Sequence, residues 1–250
     1  MHPVLFRIGL LNFYSYGFFV ALGIIIATYF AKQHAKTQGI PETKIVDLVF
    51  WMIVAGLIGG RIFYVILNLD MYLRYPLETL KIYKGGLVFH GGFIFALICT
   101  LIFIKRNKLP SLKTLDIIAV YIPLGHAFGR IGCFLNGCCF GRPAQLMFSV
   151  MFPGDFIRRH PTQLYSAILL FCIFLSLLSL ERKKEFEGQI FCAYCMMYGL
   201  MRFFIEFWRA DNPQILGVFS LFQVISLILF IGGLLFYLIF KIKKNNLKIE

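Results

Sequence analysis

The stretch Gly217–Phe240, GVFSLFQVISLILFIGGLLFYLIF, runs 24 residues without a charged side chain. A helix needs about 20 such residues to cross about 30 Å of hydrocarbon, and Lys241, Lys243 and Lys244 follow at once, as at the end of a span. Six more apolar runs of spanning length lie upstream, at Phe13–Ala31, Ile45–Leu67, Leu87–Ile104, Leu115–Phe134, Gln163–Leu180 and Gln189–Trp208. The sequence therefore predicts an all-α, polytopic membrane protein with seven transmembrane helices, in a single domain over residues 1–250.

Composition supports this class. Of the 250 residues, 59% are apolar and 15% charged, and the mean hydropathy is +0.78. A soluble domain is nearer 45–50% apolar and about 25% charged, and would have to show water more apolar surface than it tolerates. Disorder and a small disulfide scaffold are excluded by the same figures. The net charge of +13 does not read as nucleic-acid binding, because no basic stripe is interleaved with stacking aromatics. No cleavable signal peptide is expected, since the first apolar run is long and lacks a small-residue cleavage site.

The cations fall instead in short gaps between spans. Alternate gaps carry fourteen Lys and Arg (Lys32, Lys36, Lys44; Lys105, Arg106, Lys108, Lys113; Arg182, Lys183, Lys184; Lys241, Lys243, Lys244, Lys248). The other set carries eight over longer segments (Arg7; Arg74, Lys81, Lys84; Arg142, Arg158, Arg159; Arg209). The positive-inside rule then puts the C-terminus in the cytoplasm and the N-terminus outside.

Three arginines, Arg61, Arg130 and Arg202, lie inside spans. Each costs at least about 2.5–3.5 kcal/mol in hydrocarbon, so each needs a reason. With this orientation all three fall in the outer half of the membrane. Tyr16, His90, His126, His160 and Gln163 gather at the same depth. Arg202, Glu206 and Arg209 share a helix face at i, i+4 and i+7. Snorkelling anchors and structural ion pairs account for some of these groups: Arg142 and Arg209 stand near span ends, and Glu206 can neutralise an arginine. One carboxylate does not balance three buried cations, however. The excess positive charge calls for an anion, and a phospholipid phosphate is the one available at that depth; arginine grips phosphate bidentately.

The most informative stretch is Gly125–Arg142, GHAFGRIGCFLNGCCFGR. Its glycines are too dense for a regular lipid-facing helix. Close helix packing explains Gly129 and Gly132. Gly137 and Gly141, beside Asn136 and Arg142, point rather to backbone lining a cavity. The seven cysteines show no metal-ligand spacing with His, their odd number argues against a complete disulfide framework, and Cys192 and Cys195 read as small packing residues.

These motifs, in this order, resemble the prolipoprotein diacylglyceryl transferase family. Ser15-Tyr16-Gly17 resembles its first-helix motif, Gly59-Gly60-Arg61 its second, and LVFHGG at Leu87–Gly92 the opening of its third. GRIGCFLNG at Gly129–Gly137 with Gly141-Arg142 resembles the family signature, and RHPTQLY at Arg159–Tyr165 and YGLMRFFIEFWR at Tyr198–Arg209 follow in place. The resemblance implies a bacterial inner-membrane enzyme that moves the sn-1,2-diacylglyceryl group of phosphatidylglycerol to the lipobox cysteine in a prolipoprotein signal peptide. A thioether forms and glycerol phosphate is released, at a site toward the outer leaflet. It implies no cofactor, no metal and no nucleic-acid partner.

In that reading Arg130 and Arg202 hold the phosphate and its growing charge. His90 acts as base or orients the lipid, and Tyr16 bonds the phosphate or headgroup or serves as an interfacial aromatic. Arg61, Asn136, Gly141, Arg142, His160, Gln163, Glu206 and Arg209 complete the substrate site. Cys133 and Cys138 depart from the family pattern, which commonly has Asn and an acidic residue there, so no role carries over to them. Two rivals use the same residues differently. An anion channel or transporter would spread polar groups through the membrane depth and favour an internal repeat, neither of which the sequence has. A thiol oxidoreductase would rest only on Cys138, Cys139 and the C-x-x-C.

Overall fold

The computed structural model describes residues 1–8, 11–81, 85–210 and 219–246. Lys84, Lys248 and the first residues of the expected seventh span lie outside them. A hairpin of β1 (Val4–Ile8) and β2 (Leu11–Tyr14) precedes the helices α1 (Ser15–Thr37) and α2 (Glu42–Leu67). The short α3 (Leu69–Arg74) and a 3₁₀ turn at Pro76–Leu80 lead to α4 (Phe89–Arg106) and α5 (Ser111–Asn136). A small antiparallel pair, β3 (Val150–Met151) and β4 (Arg158–Arg159), comes before α6 (Thr162–Glu181), α7 (Gln189–Glu206) and α8 (Leu221–Asn246). The first span was expected from Phe13. Extended backbone persists instead to Tyr14, and the Ser15 amide, bonded to Pro3 O at 2.9 Å, anchors the hairpin where the helix starts.

Among the described residues six helices, α1, α2, α4, α5, α6 and α8, are long and apolar enough to cross a membrane. The chain is a polytopic all-α membrane protein. The seventh expected span corresponds to α7, whose 18 residues include Arg202 and Glu206 and whose inner face is buried. Residues Ile228, Ile231, Leu235, Phe236 and Ile239 of α8 stand exposed, an apolar surface suited to lipid.

The residues group into two compact units, Met1–Ala31 with Leu115–Glu250, and Lys32–Thr114. In the smaller unit α2 packs on α4 through glycines. A Cβ on Gly91 would lie 2.5 Å from Gly59 O and one on Gly92 2.9 Å from Gly56 O, so only glycine lets the two backbones meet. The Val88 amide closes the contact on Gly60 O at 3.0 Å. The Gly-Gly-Arg and His-Gly-Gly motifs are thus two sides of one helix crossing.

In the larger unit α1 packs on α5 in the same way: a Cβ on Gly23 would meet Gly125 O at 2.7 Å, and one on Gly132 would meet the Tyr16 backbone at 3.2 Å. Helix α5 is the most buried of the six apolar helices. Its apolar window is 56% buried, against 17% for α1, α2, α4 and α8. The backbone remains helical through Asn136 and leaves the helix only at Gly137, whose φ is +75°.

Helix α7 is held at both ends. Buried Asp116 on α5 accepts the amides of Gly188 at 2.7 Å and Phe191 at 2.8 Å. It thereby satisfies first-turn donors and the positive end of the helix dipole. At the other end the Arg142 amide bonds Trp208 O at 2.8 Å. Along its length Gly199 fits against Ser226 O, and Gly233 of α8 fits against Cys192 O and the Cβ of Cys195. Those two cysteines are packing residues.

Candidate functional site

Arg202 and Glu206 on α7 turn inward in the larger unit, but the expectation that Arg209 shares their helix face does not hold: the helix ends at Glu206, and Arg209 lies beyond it, bridged to Gly141. Arg202 is 9% exposed, Glu206 4% and Arg209 7%. Arg202 Nη2 pairs with Glu206 Oε2 at 2.9 Å, and the guanidinium lies 4.8 Å from the Phe222 ring centre. Glu206 Oε1 accepts the hydroxyl of Ser220 at 2.8 Å. The other terminal nitrogen, Arg202 Nη1, is buried with no hydrogen-bond partner among the described residues.

Arg130 approaches the same cluster from α5. Its Nε donates to His126 Nε2 at 3.2 Å, so the i, i+4 pair on one helix face forms as the spacing predicts. The His126 ring lies 5.9 Å from that of Tyr198, one turn before Arg202. The charges of Arg130 and Arg202 both act on His126, and those of Arg130 and Arg209 both act on Arg202. Tyr16 comes under the field of Arg130 and of the thiols at 133, 138 and 139, because the Gly132 contact sets its backbone against α5. Its side chain is 46% exposed.

The segment 137–144 is bound to its surroundings along its whole length. Gly141 donates to His160 O at 2.9 Å, His160 to Arg142 O at 3.1 Å, and Ala144 to Arg158 O at 2.9 Å. Arg142 Nε donates to Arg209 O at 3.1 Å. A Cβ on Gly141 would lie 2.5 Å from Trp208 O and 2.7 Å from the Cβ of His160. That close approach of three backbone segments explains Gly141. Gln163 Nε2 donates to Cys138 O at 2.6 Å and Thr162 Oγ1 to Cys139 O at 3.0 Å. Buried Gln163 Oε1 has no partner among the described residues. His160 Nδ1 is 3.2 Å from the Tyr165 hydroxyl, and the Asn136 side chain reaches Cys138. Of the expected substrate-site residues, Gly141, Arg142, His160 and Gln163 thus serve here to hold one loop.

Arg61 and His90 belong to the smaller unit. Arg61 is 6% exposed, and its donors go to four carbonyls: Nε to Thr79 at 2.9 Å, Nη2 to Glu78 at 2.6 Å, and Nη1 to Gly85 at 2.8 Å and Gly86 at 3.2 Å. The rings of Tyr64 and Tyr72 lie 5.7 and 5.4 Å from its Cζ. His90 stands in the first turn of α4, its ring edge-on to Phe89 at 6.0 Å.

Sequence reasoning did not single out Asp116, Ser220 or Phe222. Asp116 carried a signal, a carboxylate inside an apolar run. Ser220 and Phe222 carried none, since their use depends on how α8 meets α7. Nor did it foresee that Cys133, Cys138 and Cys139 come together.

The sequence profile of the prolipoprotein diacylglyceryl transferase family matches residues 3–239. The chain is 36% identical to the phosphatidylglycerol–prolipoprotein diacylglyceryl transferase of Clostridium tetani, over 98% of this chain and 100% of that one. It is 35% identical to the protein of that name from Ehrlichia canis, over 96% of each, and 34% identical to that of Geobacter sulfurreducens, over 93% and 92%. With the motifs in order and the match running nearly end to end, the chain belongs to the prolipoprotein diacylglyceryl transferase family.

Proposed function

We propose that this chain transfers the sn-1,2-diacylglyceryl group of phosphatidylglycerol to the lipobox cysteine of prolipoproteins. It does so in the bacterial inner membrane, at a site toward the outer leaflet, with its N-terminus outside and seven spans, α7 included. The observation that carries the reading is Arg202 Nη1, a buried cationic donor without an acceptor among the described residues, in a cluster where Arg130 and Arg209 add positive charge. Such a donor calls for an anion, and a lipid phosphate supplies one.

The reaction needs little else from the protein. The substrate thiol loses its proton, its sulfur attacks the glycerol carbon, and the carbon–oxygen bond to phosphate breaks. The electron pair leaves on glycerol phosphate. Charge therefore moves from sulfur to phosphate oxygen. Fixed guanidinium groups favour both ends of that movement, stabilising thiolate over thiol and the departing phosphate. Glu206, braced by Ser220, aims one side of the Arg202 fork, and the other has no partner among the described residues. Tyr16 is suited to bond the phosphate or headgroup. The role of His90, as base or as orienter of the lipid, rests on the resemblance of its motif. The anion-transport reading shares the arginines but has no use for a thiol.

The test is purified protein with phosphatidylglycerol and a synthetic lipobox peptide, read by mass spectrometry. Wild type should add one diacylglyceryl mass to the peptide cysteine. Arg130→Lys and His90→Gln should lose it, and the double variant Cys138→Ser/Cys139→Ser should keep it. No adduct from folded wild type overturns the transferase. Loss only in the double variant would move the chemistry to the protein's own thiols.

A further inference from the structure

Cys133, Cys138 and Cys139 come from the last turn of α5 and the loop that follows. All three are free thiols, and their sulfur atoms lie within 4.8 Å of one another. A central ion about 2.3 Å from each of three thiolates holds them about 4 Å apart, so sub-ångström shifts complete such a site. We infer that these three side chains form a binding site for a soft monovalent metal cation, Cu(I) being the type, taken in three-coordinate sulfur geometry.

Three further observations support a built site. Cys139 has φ of +63°, a left-handed conformation that residues other than glycine adopt at a cost and that tends to mark functional positions. The loop does not relax out of it, because Gln163 and Thr162 grip the carbonyls of Cys138 and Cys139 and the Cys138 amide bonds Cys133 O at 3.2 Å. Charge is also matched. A Cu(I) ion bound by three thiols displaces three protons and leaves a complex of net charge −2, and the guanidinium groups of Arg130 and Arg209 already act on the Cys139 sulfur. The donor set decides the metal class, since thiolates select Cu(I) and its soft relatives over magnesium, calcium or manganese.

The inference stands apart from the transferase reading, because its measurement is metal binding. The full chain, purified in detergent, reduced and without oxygen, is titrated into Cu(I) held by a chromophoric chelator. Wild type should withdraw one equivalent, and X-ray absorption at the copper edge should show three sulfur neighbours. Cys133→Ser, Cys138→Ser and Cys139→Ser should each weaken binding at least tenfold, and Cys99→Ser, Cys172→Ser and Cys192→Ser should not. Cys139→Gly is the sharper variant, since glycine suits the left-handed backbone and removes little but the thiol. It should melt at the wild-type temperature and lose the copper. Wild type that withdraws no copper overturns the site, as does binding unchanged in Cys139→Gly or equally lost in Cys192→Ser.

Discussion

Arg61 and Arg202 pose the same problem to the chain and meet it differently. Both are arginines inside apolar helices, and both are nearly fully buried. Arg61 is enclosed by four carbonyls and two tyrosine rings, so its donors are used within the protein. Arg202 has one carboxylate oxygen and a phenylalanine face, with a terminal nitrogen left over. A buried guanidinium is therefore not in itself a ligand site. What distinguishes the two is where the five N–H donors go. Arg61 organises backbone around itself, and Arg202 keeps a donor that no described residue accepts.

The widest gap between the two should appear on substituting lysine at position 202. Lysine keeps the charge but loses the planar fork. We expect kcat to fall about 10²–10³-fold, the loss typical of one donor at a developing anion, while the melting temperature in detergent stays within a few degrees of wild type. The peptide-lipidation assay and a thermal melt on one preparation check both. A variant of near wild-type rate would break the comparison and return Arg202 to the structural class.

Position 61 should respond in stability first. Arg61→Met leaves the carbonyls of Glu78, Thr79, Gly85 and Gly86 without their shared donor. Hydrogen bonds to a charged group contribute about 1.5–3 kcal/mol each, so a loss of at least about 2 kcal/mol and a clear drop in melting temperature are expected. Should Arg61→Met instead melt like wild type and lose the reaction, Arg61 would belong with Arg202 on the substrate side, as the sequence motif alone implies.

Gly141→Ala sharpens the contrast within the larger unit. The new Cβ would have backbone oxygen at 2.5 Å and the Cβ of His160 at 2.7 Å, neither able to swing aside as a flexible side chain would. Overpacking of this kind costs about 1–3 kcal/mol. It should loosen the join between the loop and the segment after α7 that carries Arg209. A lower melting temperature with KM raised more than kcat is lowered is the expected pattern. Unchanged stability would mean the three segments have room to part.

The sequence disclosed the membrane class and most helix positions because a span leaves a signal in every residue it contains. It disclosed Arg130 and Arg202 because a charge in an apolar run is conspicuous. It also marked Arg61, but the carbonyls that enclose that residue lie 17 to 25 positions downstream in a stretch with no periodic pattern. The α7 helix shows the converse: its length and apolar face read as a span, while the burial of its inner face and its Arg202–Glu206 pair depend on the elements it packs against. Gly59, Gly91 and Gly141 were visible as glycines, yet whether a glycine admits a ligand or another backbone is decided by the partner segment. The thiol cluster was hidden for the same reason, since Cys133 is on a helix and its partners lie past a left-handed turn.

The smallest effect lies where a charge pair is outside the spans and in reach of water. Asp155, before β4, pairs with Arg159 and accepts the Ile157 amide at 3.3 Å. The Arg159 guanidinium holds the Asp155 carboxyl below the usual carboxylate range. A carboxyl depressed on folding contributes its stability in full above the free-chain value of about 4 and loses it as pH falls through the folded value. The β3–β4 pair should therefore be insensitive to pH around neutrality and open only in acid, and Asp155→Asn should abolish that acid dependence with little change at pH 7. Hydrogen exchange of the peptide spanning residues 150–160, corrected for intrinsic rates, reads it directly. Opening that begins near neutral pH would overturn the assignment to Asp155. The contrast between enclosed and donor-rich arginines extends to a third class, a part-buried pair within reach of water, which screens part of its contribution.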